Sequence, residues 1–96
     1  MFARMSRATI KPDRKGNVEE TIARLKSQTI DLPGVKYWIT VLSDAGELTV
    51  IGLYGTKLDR QETASVNTTR WADAQELFLE APTIVEGEVL AFVRND

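Results

Sequence analysis

The chain has 96 residues, 43% hydrophobic and 27% charged, which suits one globular domain with a single core. Twelve basic and fourteen acidic residues give a net charge of −2 with no basic run, which argues against a nucleic-acid partner. Cysteine and histidine are both missing, so disulfides, thiolate nucleophiles, Cys/His zinc sites, His-based triads and a haem held by His or Cys are excluded.

The first strand is expected over residues 3–11, closed by Pro12, with a polar turn over residues 11–16. Asn17 with Glu20 three residues on has the spacing of a capping box. The helix that follows sets Val18, Ile22 and Leu25 on one stripe, with Ala23 and Ile30 adjoining, and Leu32-Pro33-Gly34 stops it. Two strands then flank Asp44-Ala45-Gly46, where Gly46 suits the turn position that needs a positive φ. A second helical region starts at Gly55-Thr56, with Thr56 or Asp59 as its cap. The run Val66-Asn67-Thr68-Thr69 predicts a kink or break, after which Trp71, Ala74, Leu77 and Phe78 resume a helical stripe. Ala81-Pro82 ends that region. The last strand is expected over residues 83–94, with Val85, Val89, Ala91 and Val93 on one face and Ile84, Leu90 and Phe92 on the other.

The order β-α-β-β-α-β predicts a single α+β domain of ferredoxin-like type, a four-stranded antiparallel sheet with two helices on one face. Both faces of the sheet read as apolar: Trp38, Thr40 and Leu42 alternate with Tyr37, Ile39 and Val41 along strand two. The helices cover one face only, so a homodimer packed sheet to sheet is expected. A metal would need carboxylates alone, and no Asp/Glu cluster has EF-hand spacing, so no metal is expected; no tightly bound cofactor is expected either. MFARMSRATIKP lacks the apolar stretch of a signal peptide and no run reaches transmembrane length; a cytoplasmic location and no membrane partner are expected.

SRATIKP at residues 6–12, LPGVKYWITVLSDAGELTVIGLYGT at 32–56 and IVEGEVLAFV at 84–93 resemble the antibiotic biosynthesis monooxygenase-like family of dimeric α+β barrels. The resemblance covers nearly the whole chain, and its carriers are Pro33-Gly34, the strand-turn-strand ending in Tyr54, and the last strand. It implies a dimer whose sheets form a barrel, with a cleft between helices and sheet in each subunit. Members include cofactor-independent oxygenases of polycyclic quinol-type aromatics and enzymes that degrade haem. The haem-degrading branch pairs an Asn on strand one with a Trp and a His on helix two; here Ser6 holds the place of that Asn, Trp71 lies further along the helix, and there is no His.

Thr63, Asn67 and Trp71 fall on one stripe at four-residue spacing if the second helical region is continuous. That stripe reads either as a solvated polar face or as a cleft wall with a few polar groups among apolar ones. In the second reading Asn67 and Trp71 are the catalytic candidates: Asn67 donates to an oxyanion and Trp71 stacks on a flat ligand. Thr63, Tyr54 at the end of strand three and, by resemblance, Ser6 are the substrate-binding candidates. Tyr37 and Trp38 read as packing residues on opposite faces; the resemblance implies that Arg7 lies on the dimer side, paired with an acid. Glu86 and Glu88 share a face and read as solvated or ion-paired rather than as an acid/base pair. The expected function is a cofactor-independent monooxygenase-like protein that binds a small aromatic molecule of quinol type; the alternative is a non-catalytic dimeric binding or structural module of the same fold.

Overall fold

Strand β1 (Phe2–Thr9) lies inside the sheet because it has an antiparallel partner on each side, β3 (Glu47–Tyr54) and β4 (Thr83–Glu88). Strand β2 (Val35–Leu42) pairs with the outer side of β3, which gives the order β2-β3-β1-β4. The computed structural model describes residues 1–30, 32–64, 69, 72 and 74–95. Between the strands run α1 (Val18–Thr29) and α2 (Lys57–Glu62), followed by a 3₁₀ turn at Gln75–Leu77. The result is the expected ferredoxin-like α+β arrangement.

Alternation along β1 selects the two faces of the sheet. Phe2, Ser6, Ala8 and the following Ile10 are buried, whereas Met5, Arg7 and Thr9 are exposed. Ala8, Ile10, Val18, Leu48, Ala74, Leu77 and Phe78 form the core, with Ile22 and Val50 packed against it. The core therefore sits at the end of the sheet near the β2–β3 turn. In that turn Gly46 has φ 84°, as expected, and its N–H donates to Ser43 O at 3.0 Å.

Helix α2 starts with a full capping box. Asp59 N donates to Thr56 Oγ1 at 3.1 Å, and Thr56 N donates to Asp59 Oδ2 at 3.0 Å. Asn17, by contrast, does not cap α1. A 3₁₀ turn at Pro12–Asn17 runs straight into that helix, so Asn17 has helical dihedrals and its side chain makes no capping bond. The turn's own carbonyls serve instead, Val18 N donating to Lys15 O. Helix α1 ends at Thr29, short of Leu32, and Ile30 just beyond it is exposed; Ala23, inside the helix, is exposed as well, so neither adjoins a buried stripe.

Two further expectations are corrected. Phe78 is not helical: its backbone is extended and bridges to Ile10. Strand β4 stops at Glu88 rather than running to residue 94, because Glu88 pairs with Phe2, the first residue of β1. One more bond, Val89 N to Met1 O at 2.9 Å, closes that ladder. Residues beyond it then cross to the far edge strand. The Phe92 ring lies 4.9 Å from that of Tyr37, and Arg94 Nη1 donates to Tyr37 Oη at 3.3 Å. Tyr37 points away from the helices, so this tail covers one corner of the face that the sequence left bare. The rest of that face still exposes Met5, Ile39, Val41 and Val85. Arg7 and Glu47 form an exposed ion pair there, with Nε 3.3 Å from Oε1.

Candidate functional site

A cleft opens between sheet and helices beside the core. Its described walls are Thr21, Ile22 and Leu25 of α1, Trp38 of β2, Leu48, Val50, Gly52 and Tyr54 of β3, Arg4 of β1, and Ala74, Leu77 and Phe78. The enclosed space measures about 40 Å³; with its solvent-open mouth, the cleft spans about 580 Å³. Ligand sites are typically several hundred Å³, so Leu77 and Phe78 leave only a narrow slot here. A wider groove of about 440 Å³ runs between α1 and β2, lined in part by Lys26, Ile30 and Lys36. Trp38 and Ile22 line both spaces.

The polar end of the cleft depends on a glycine. A Cβ on Gly52 would stand 3.1 Å from Tyr54 Oη and 3.2 Å from Tyr54 Cε2, so the bare backbone lets the Tyr54 ring lie back along its own strand. Gly52 is the register partner of Arg4 across the β1–β3 ladder. Arg4 is the one charged side chain among the described residues that line the cleft.

Arg4 belongs to a cluster. Its Nη1 donates to Ser6 Oγ at 2.9 Å, and its Nε is 3.5 Å from Glu86 Oε1 without a hydrogen-bonding geometry. Glu86 Oε1 also pairs with Arg60 Nη2 from α2. The two arginine side chains are 11% and 14% exposed, and the Nε of each has no hydrogen-bond partner among the described residues. Burial, followed by the repulsion of Arg60, lowers the pKa of Arg4; the proximity of Tyr54 and Glu86 offsets part of that shift.

Tyr54 is buried and lines the cleft. Ser6 is 1% exposed, on the same strand face as Arg4, and accepts from the Arg4 guanidinium. Thr63 is buried just past α2, where its Oγ1 donates to Arg60 O at 2.9 Å. Asn67 and Trp71 lie outside the described residues. Sequence reasoning missed the Arg4–Glu86–Arg60 cluster. The available signal was Arg4 itself, a cation on a strand face otherwise made of Ser6, Ala8 and Ile10.

Four antiparallel strands in this order, with helices on one face and a cleft beneath them, define a ferredoxin-like α+β domain. No family model matches the sequence, and no curated protein matches it. Solved structures do share the fold. A protein of unknown function from Nitrosomonas europaea superposes with a TM-score of 0.84 at 18% identity, over 99% of this chain and 94% of its own. A second Nitrosomonas europaea protein, provisionally named an antibiotic biosynthesis monooxygenase, gives 0.81 at 20% identity over 95% and 100%. Rv0793 from Mycobacterium tuberculosis gives 0.81 at 18% identity over 97% and 98%. The fold is thus that of proteins named antibiotic biosynthesis monooxygenases. Among the described residues, no helix is long and apolar enough to cross a membrane.

Proposed function

We propose that the protein binds a small, flat aromatic molecule in the cleft between helices and sheet and oxygenates it without a cofactor. The observation that carries this reading is the cleft itself, an apolar slot with Arg4 and Tyr54 at one end. The name borne by several proteins of this fold agrees with it. The slot is too small for a ring system as it stands. Trp38 and Ile22 form the wall it shares with the larger groove, and binding a ring system there requires the Trp38 indole to turn and join the two spaces.

A quinol-type substrate supplies its own electrons. Conversion of an activated CH₂ to C=O by O₂ releases one water and needs no other reductant. With no histidine or cysteine in the chain, the substrate's own acidity provides the enolate, and donors at the cleft stabilise the charge. Asn67 is proposed as one such donor and Trp71 as a stacking surface, with Tyr54 at the wall. Ser6 acts through Arg4, and Thr63 through the end of α2. Oxygen uptake with an anthrone-type substrate tests the activity: catalysed uptake is expected, and Asn67→Ala lowers it by about tenfold or more with the fold intact. Uptake no faster than the uncatalysed rate refutes the activity and leaves a binding module of the same fold.

We also propose that two copies pack through the uncovered sheet face. Exposed Met5, Ile39, Val41 and Val85 supply its apolar surface.

A further inference from the structure

We propose that the ligand is an aromatic monoanion, a carboxylate or ionised phenol, and that Arg4 reads its charge. This rests on the reading of the cleft as a binding site and names the class of molecule it selects.

Two guanidinium groups, Arg4 and Arg60, share one carboxylate, that of Glu86. One positive charge is therefore left without a counter-ion among the described residues, in a place where both arginine side chains are largely shielded from water. Arg60 and Glu86 line a separate depression between α2 and the β1–β4 side of the sheet, together with Phe2, Lys57 and Gln61. Arg4 alone of the three lines the apolar cleft. The unbalanced charge is thus presented inward, where the neighbours are Leu25, Val50 and Trp38.

A buried cation with too few partners stays poorly satisfied until an anion supplies the missing bonds. Arginine suits this task because it stays charged and its planar fork matches a planar anionic group. Ser6 fixes the rotation of that fork by accepting from Nη1. Long-range attraction does not create the preference, since the chain as a whole carries −2. The selection is local, and it is paired with an apolar slot that prefers a flat body.

The test compares 2-naphthoate with 2-naphthamide, which have nearly the same shape and differ in charge, by calorimetric titration of the full-length protein. The expected result is that the carboxylate binds at least about tenfold more tightly than the amide. In Arg4→Met/Ser6→Ala, which removes donor and acceptor together, that ratio falls to about one. Arg4→Gln serves as the second variant and is expected to lose the preference as well. Equal binding of the two probes to the unmodified protein overturns the anion proposal and leaves the cleft reading standing. Saturable binding of neither probe overturns both. A preference that survives in the folded variants overturns the role of Arg4.

Discussion

Arg4 places a positive charge between sheet and helices, and in the absence of a ligand that placement is costly. Its lowered pKa means that the folded state holds the charged form less well than the unfolded chain does. Because arginine stays charged in proteins, this cost is present throughout the working pH range. Ser6, at 1% exposure, depends on Arg4 for a donor. Arg4→Met alone therefore leaves the Ser6 oxygen without that donor and is expected to cost about 1–2 kcal/mol more than Arg4→Met/Ser6→Ala. Denaturant titration of the two variants measures the difference; equal stabilities would show that the Ser6 bond contributes nothing. At Gly52 any side chain meets the Tyr54 ring. Gly52→Ala is expected to lower stability by about 1 kcal/mol or more, because Tyr54 is buried and has little room to yield. A stability gain would show that the ring moves freely. The charge cluster could not be read from the sequence, because positions 4, 60 and 86 meet only through the sheet and the packing of α2. The alternation that points Arg4 toward the helices was legible; its partners were not.

Short elements here depend on their ends. Helix α2 has six residues, too few for stability on its own, yet it delivers Arg60 to Glu86. Its capping box answers for much of its placement. Thr56→Ala is expected to cost about 1 kcal/mol and to weaken binding of an anionic probe, since Arg60 would hold Glu86 less firmly and leave that carboxylate to neutralise Arg4. A fall in thermal stability with unchanged probe affinity would separate the helix from the site. The sequence offered Thr56 or Asp59 as the cap, and the capping box uses both: they lie three residues apart, a purely local relation. Asn17 had the same local signal and failed, because the preceding residues form a 3₁₀ turn that runs straight into the helix and leaves Asn17 with helical dihedrals rather than those of a cap. The length of β4 was not legible for a related reason. Its apolar alternation continues to Val93, but a strand needs a partner, and the described one ends at Phe2.

At the scale of the whole molecule, one face of the sheet carries the core and the cleft, and the other carries an apolar surface that only the tail begins to cover. The apolar character of both faces was visible in strand two from the sequence alone. That the tail folds back onto Tyr37 was not, since Phe92 and Tyr37 are far apart in the chain. Two copies joined by the open face would bury Ile39 and Val41, and Ile39→Asp/Val41→Asp is expected to yield a folded monomer where the unmodified chain sediments as a dimer. Sedimentation of the unmodified chain as a monomer at micromolar concentration would remove the dimer. The central claim is that the cleft binds flat aromatic molecules. The chain has two tryptophans; Trp38 lines the cleft and Trp71 is the proposed stacking surface, so the fluorescence of the unmodified chain reports on the site. That fluorescence, titrated with 2-hydroxy-1,4-naphthoquinone and corrected for inner-filter absorption, tests the claim most directly. Saturable quenching is the predicted result. Quenching that rises linearly without saturation, as collisions alone produce, would contradict it.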